Sequence, residues 1–293
     1  KKTNDVTRPV DTANTPAGQP ASMEWEQGSG SNNGTPKSLT YYETKSTPNT
    51  NGLGTTETTY EHVVTGFGAI DAASESGSVK CVVNVEAGGI LNLKGGMITT
   101  TANLSHDGHV IYSEGTVKIA GGYVTNGNGG GWGGGLCMAK GSLNMTGGVI
   151  AANKAASGGG IFADSGVTLD LSGGVISGNA TYAKGISGSS CGGDTGDGGY
   201  GGGVYTKGAN VTIGGSANIT NNRVDAWIAD SNLYNFGLLG GGGIACTHGG
   251  TLTMTGGSVT ANYSKEAGGG IYAGFWNQAI TFTMTDGTIA GNK

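Results

Sequence analysis

The sequence predicts an all-β chain wound as a right-handed parallel β-helix, and three observations carry that reading. The first is repetition. Residues 158–179 read GGGIFADSGVTLDLSGGVISGN, residues 133–153 read GGGLCMAKGSLNMTGGVIAAN, and further copies lie at 201–222, 241–262 and 268–292. A unit recurring at this spacing decides the fold ahead of any local signal, because one copy can bury its apolar face only against its neighbours. The second is alternation within each copy. Val167, Leu169 and Leu171 share one face while Thr168 and Asp170 share the other, and Leu143/Met145, Val211/Ile213, Leu252/Met254 and Phe282/Met284 repeat the pattern. Period-two alternation over so few residues marks a strand with one buried face. The third is that no copy contains a helical period of useful length. Roughly seven to eight coils follow, with loop insertions on one side.

Each element has its own reason. A second strand is expected after the Gly-Gly pair, through Ile150, Ile176, Ile219, Val259 and Ile289. A third follows the glycine triplet, through Leu136, Ile161, Val204, Ile244 and Ile271. The triplets begin at 133, 158, 201, 241 and 268, in steps of 25, 43, 40 and 27 residues. The short steps suit one three-strand rung, and the long ones a rung plus an insertion. Glycine suits the bends, where a Cβ would obstruct positive φ or close approach between coils. The closing Asn153, Asn179, Asn222, Asn262 and Asn292 are expected to stack inward, their amides serving turn backbone groups that no ladder bond reaches.

Residues 1–59 are rich in Thr, Asn, Ser and Gly, hold all five prolines, and are poor in aliphatics. Such a composition reads as a linker, or as a cap or wrap over the first coil anchored by Met23, Trp25, Tyr41 and Tyr42. The β-helix is expected over 60–293. Its first coil is degenerate (SVKCVVNV, GILNL), and in its second Asp107-Gly108-His109 replaces the glycine triplet. At the other end, the Phe282-Thr283-Met284 strand and the Ile289 row complete a coil with nothing to cover them. Open strand edges and a bare apolar row call for further repeats or a neighbouring subunit, so self-association through coil ends is expected.

Composition excludes several classes. With 62 glycines and 12% charged residues, the chain lies outside ordinary globular usage. A net charge of −5 without a Lys/Arg cluster disfavours nucleic acid. No apolar run is long enough to insert in a membrane. No leader of signal-peptide type opens the chain, so the expectation is a start after processing. Cys81, Cys137, Cys191 and Cys246 show no CxxC spacing, which argues against zinc. Cys246 falls in the inward row and is expected to pack as a small apolar residue. Cys137 takes the outward place held by Phe162 and Tyr205. Two disulfides are allowed, with connectivity unreadable.

Length variation concentrates between the closing Asn and the next triplet, so the insertions emerge along one side. Their aromatics are the candidate binding residues: Trp132, Tyr200, Trp227, Tyr234 and Phe236, with Phe275 and Trp276 from a smaller insertion in the last copy. Aromatics on loops held by a rigid scaffold suit a glycan or a protein partner. The alternative is that they fold back over the apolar outside of the coil beneath. The outward column Tyr112, Cys137, Phe162, Tyr205, Ala245 and Tyr272 is read as structural. Asp194 and Asp197, in CGGDTGDGG, are the candidate metal ligands, and calcium is the ion they could hold; no other cofactor is implied. His106 and His109, three apart in a bend, lack a third ligand. Catalysis would need clustered carboxylates, yet the outward row reads Asn92, Lys118, Asn144, Asp170, Thr212, Thr253, Thr283.

The paired motifs, a glycine triplet before Ile, Val or Leu and then [Ile/Val]-x-x-Asn, resemble the GGA[ILV] and FxxN repeats of chlamydial polymorphic outer membrane proteins. They are also similar to repeats in large surface proteins of gut bacteria. The match covers about residues 88–292, with Gly replacing Ala in the triplet and Ile or Val replacing Phe. The resemblance implies a pectin-lyase-like solenoid, a secreted or autotransporter-passenger setting at the cell surface, and typically adhesion. The leading expectation is therefore a non-catalytic extracellular adhesin that presents its loops to a glycan or host protein. The alternatives are a polysaccharide lyase or hydrolase, and a structural subunit of an end-to-end assembly.

Overall fold

The computed structural model describes residues 4–10, 15–26, 35–50, 54–66, 68–72, 81–100, 108–129, 131–181, 199–225, 239–274 and 278–293. Among these the fold is all-β. The first four strands, β1 (Asn4–Val10), β2 (Ser22–Glu26), β3 (Thr35–Pro48) and β4 (Thr55–Thr65), form an antiparallel sheet in the order β1-β4-β3-β2. Everything after them pairs in parallel.

Early repeats supply β5 (Ala69–Ala72), β6 (Cys81–Val85), β7 (Ile90–Thr100), β8 (His109–Ser113) and β9 (Thr116–Thr125). The next two supply β10 (Leu136–Met138), β11 (Ser142–Ala151), β12 (Lys154–Ala155), β13 (Ile161–Ala163), β14 (Thr168–Ser177) and β15 (Ala180–Thr181). Then come β16 (Val204–Lys207), β17 (Asn210–Ile213), β18 (Asn218–Thr220) and β19 (Arg223–Val224). The last are β20 (Ile244–Thr247), β21 (Thr251–Thr260), β22 (Tyr263–Ser264), β23 (Ile271–Ala273) and β24 (Thr281–Ala290).

Three parallel sheets result, each taking its strands from successive repeats. One runs β23-β20-β16-β13-β10-β8-β6; a second is built on β5, β7, β9, β11, β14, β17, β18, β21 and β24; a short third runs β12-β15-β19-β22. Register matches the repeat alignment, with Leu136 opposite Ile161, Ile161 opposite Val204, and Leu143 opposite Leu169. The inward rows meet in one core in which Leu143, Leu169, Val211 and Leu252 are all at most 1% exposed. Cys246 lies in this core, as its place in the alternation requires.

Two details differ from the sequence reading. Where two strands were expected on either side of Gly-Gly, most repeats have one long strand with a register shift at that pair, as in β11 and β14. A bulge suits glycine here: a Cβ on Gly147 would stand 2.6 Å from the Ala120 carbonyl oxygen, and Gly148 has φ of 79°. The third sheet, built from two residues after each closing Asn, was not foreseen.

The asparagine ladder forms. Asn153 N–H donates to Asn179 Oδ1 at 3.1 Å, Asn179 to Asn222 at 3.1 Å, Asn222 to Asn262 at 2.9 Å, and Asn262 to Asn292 at 2.9 Å. The side-chain NH2 of Asn153, Asn179, Asn222 and Asn262 donates both to the next Oδ1 and to a carbonyl of the preceding repeat, as Asn179 does to Asn222 and to Ile150. Asn153, Asn179, Asn222 and Asn262 are fully buried. An amide meets that condition because it donates and accepts at once.

The described strands of the N-terminal segment pack on the repeats, against several of them and not the first coil alone. Its antiparallel sheet lies along the flank of the repeats, through β3 against β14, β18 and β21. Thr44 N–H donates to Thr220 Oγ1, Thr260 Oγ1 donates to Thr44 O at 2.8 Å, and Ser177 Oγ donates to Tyr42 O. Leu39, Tyr41 and Val64 are buried against Met97, Val149 and Ala151, with Met23 packed on the same cluster. The expected boundary at residue 60 falls inside β4, so the antiparallel unit extends to Thr65.

Candidate binding surface

The flank from which the insertions leave is built by the third sheet. Each closing Asn leads into a two-residue strand, and β15 and β19 stand opposite each other in register, Ala180 with Arg223 and Thr181 with Val224. The two long insertions follow these strands, and residues 182–198 and 226–238 lie outside the described residues. The chain is described again at Gly199 and Leu239, where Tyr200 and Gly240 form a parallel bridge. Both insertions therefore leave and rejoin at equivalent points of neighbouring repeats. A one-residue offset in either would break that bridge.

Beside these points lies a column of aromatics on the outward face of the sheet containing β10, β13 and β16. Trp132 sits 4.7 Å from Phe162, Phe162 5.5 Å from Tyr205, and Tyr200 stacks on Tyr205 at 5.5 Å with planes 21° apart. Such offset and tilted pairs are favoured by the ring quadrupole. Lys207 Nζ stands 5.0 Å from the Trp132 ring centre. Trp132 and Tyr200, both candidate contact residues, are 4% and 1% exposed. They form the inner wall of the flank, because each repeat stacks its ring on the ring before it. Trp227, Tyr234, Phe236, Phe275 and Trp276 lie outside the described residues, as do Asp194 and Asp197. Among the described residues no three metal-binding side chains cluster.

Cys137 belongs to the same column and is disulfide-bonded. Cys81 and Cys246 are free thiols, and Cys191 lies outside the described residues. Burial pushes the Cys246 thiol up to about 11, so it stays protonated and inert at neutral pH. On the outward row of the long strands, Asn144 Nδ2 donates to Asp170 Oδ2 at 3.5 Å, and the neighbouring repeats place Thr212 and Thr253 in line.

The sequence reading missed a buried polar cluster where the antiparallel sheet meets the repeats. Glu43, 8% exposed, accepts from Asn218 Nδ2 at 3.1 Å and lies 3.1 Å from His62 Nε2, with Lys45 Nζ at 3.4 Å. His62 stacks flat on Tyr41 at 4.5 Å and reaches Thr7 and Asp5 with its other nitrogen. Burial pushes the Glu43 carboxyl up, but the hydrogen bonds from His62 and Asn218 and the Lys45 charge outweigh it and hold it below the ordinary range. The available signal was the Tyr60-Glu61-His62-Val63-Val64 run, which places a charge-bearing pair inside an otherwise alternating strand. No protein-family model, curated protein or solved structure matches the chain.

Proposed function

We propose that the chain is a right-handed parallel β-helix of the pectin-lyase kind, acting as an extracellular, cell-surface adhesin that presents its insertions to a glycan or host protein. One observation carries the reading: both long insertions are anchored at equivalent register points on one flank, over a rigid, aromatic-packed wall. Loops anchored at both ends on a rigid scaffold are the arrangement of recognition loops. The right hand is the one that parallel crossovers adopt. The Cys137 disulfide fits an oxidising compartment. The repeat motifs, similar to those of secreted surface proteins, point the same way.

The experiment is a binding screen against arrayed glycans and matrix proteins, run beside a variant in which Trp227, Tyr234 and Phe236 are alanine. The expected result is a ligand whose binding falls at least tenfold in the variant while the melting midpoint is unchanged. Binding that is indifferent to these residues overturns the loop reading. New reducing or unsaturated ends on a polysaccharide would favour the enzyme instead.

A further inference from the structure

Where β3 packs against β18, an amine, a carboxylate and a carboxamide meet. Glu43 and Lys45 are two apart on β3, so they leave the same face of the antiparallel sheet. Lys45 Nζ lies 3.4 Å from Glu43 Oε2, and Asn218 Nδ2, on the stack, donates to Glu43 Oε1 at 3.1 Å. One carboxylate thus holds the amine with one oxygen and the carboxamide with the other. Asn218 Nδ2 also donates to Thr44 O at 3.2 Å. That oxygen belongs to the peptide bond leading into Lys45, which puts Asn218 Nδ2 within about 6 Å of the Lys45 Cα. A lysine side chain is long enough to cover that distance.

The carboxamide is also prepared for attack. Asn218 is buried, and Ser258 Oγ donates to its Oδ1 at 2.8 Å. A donor on the carbonyl oxygen draws charge from Cγ and steadies the oxyanion that an attacking amine creates there. The nitrogen to be expelled, Nδ2, already rests on a carboxylate that can hand it a proton. His62 Nε2, 3.1 Å from Glu43 Oε2, fixes that carboxylate in place. The neighbouring Asn221 is held differently: its Nδ2 donates to the Tyr42 carbonyl and to the hydroxyls of Thr44 and Thr220.

We propose that Lys45 and Asn218 condense to an amide that ties the antiparallel sheet covalently to the repeats, with Glu43 as the proton carrier. The Lys45 ammonium gives one proton to water, and the Nζ lone pair then attacks Asn218 Cγ. Glu43 takes a second proton from the attacking nitrogen and passes it to Nδ2. The Cγ–Nδ2 bond breaks, ammonia leaves, and in water it becomes ammonium. Overall an alkylammonium and a carboxamide give a secondary amide and an ammonium ion, with no change of oxidation state. Aminolysis of an amide is slow, but this one runs once per chain, between groups held together as if at very high concentration. The structure, with the Asn218 amide intact, is the state before the bond forms.

The test is the intact mass of the whole folded chain, followed over days in neutral buffer. The expected result is the loss of one ammonia per chain, with a branched peptide joining Lys45 to Asn218 in the digest. Lys45→Arg keeps the charge and removes the nucleophile; its position is exposed, so the fold is kept. Glu43→Gln keeps a hydrogen-bonding side chain and removes the proton carrier. Both variants should hold their full mass. A wild-type chain that keeps its full mass throughout overturns the proposal. So does an ammonia loss that persists in Lys45→Arg, since it then marks ring closure at an Asn-Gly pair such as Asn126-Gly127. Cross-linking of Glu43→Gln at the wild-type rate overturns the part given to Glu43.

Discussion

The repeat stack and the antiparallel sheet beside it are both β, and they are held by opposite strategies. In the stack every contact is made several times over. Leu169 has Leu143 before it and Val211 after it, and Asn179 has Asn153 and Asn222. The antiparallel sheet meets the stack through unlike contacts that do not form a column of equivalent residues on its own side: the Glu43–Asn218 bond, the bonds of Tyr42 and Thr44 to Ser177, Thr220, Asn221 and Thr260, and the cluster around Leu39 and Tyr41. A column spreads damage over neighbours, whereas a singular contact has no substitute. Loss in the stack should be large and shared; loss at the sheet should be smaller and confined to it.

The largest effect should come from Leu169→Asp. It places an unpaired carboxylate in a fully buried row, costing about 5 kcal/mol and loosening the repeats on both sides. A denaturant midpoint that does not move would break the comparison at its strongest point. Next comes Asn179→Ala, which orphans the Asn153 N–H and takes one donor each from the Ile150 carbonyl and Asn222 Oδ1 in a dry interior. The expected loss is about 3 kcal/mol. Exchange should quicken across the whole ladder; quickening at Asn153 alone would show that the column does not act as a unit.

Glu43→Ala should cost about 2 kcal/mol, because His62 and Asn218 lose a buried acceptor. Here the signature is locality. Proteolysis and amide exchange should open β3 and β4 while the midpoint of the repeats stays put. Acid should give the smallest and most gradual version of the same effect. Since the Glu43 carboxyl is held below its ordinary value, 4.5, its contribution is complete above that pH and is lost as pH falls through the lower folded value. Glu43→Gln should remove that part of the acid sensitivity. Unchanged acid loosening of β3 in that variant would show that the Asp5–His62 contact or another carboxylate carries it.

By itself the sequence determined the repeat, the parallel pairing and the identity of each inward row. It also determined the asparagine ladder and the packing of Cys246. These features are periodic, and a period of two within a longer fixed period leaves a buried residue no other face to occupy. Only the tertiary structure decided that the sheet of β1 to β4 lies along the flank of the stack, through β3. Its Thr-rich strands have no period to phase them, and Tyr42 and Thr44 meet the stack largely through backbone groups, which carry no side-chain signature. Tertiary packing also turned Trp132 and Tyr200 from loop residues into buried wall, because rings one repeat apart stack on each other before they meet solvent. The same holds for Glu43: its partners Asn218 and His62 lie 175 and 19 residues away, and only folding brings those three side chains within hydrogen-bonding distance.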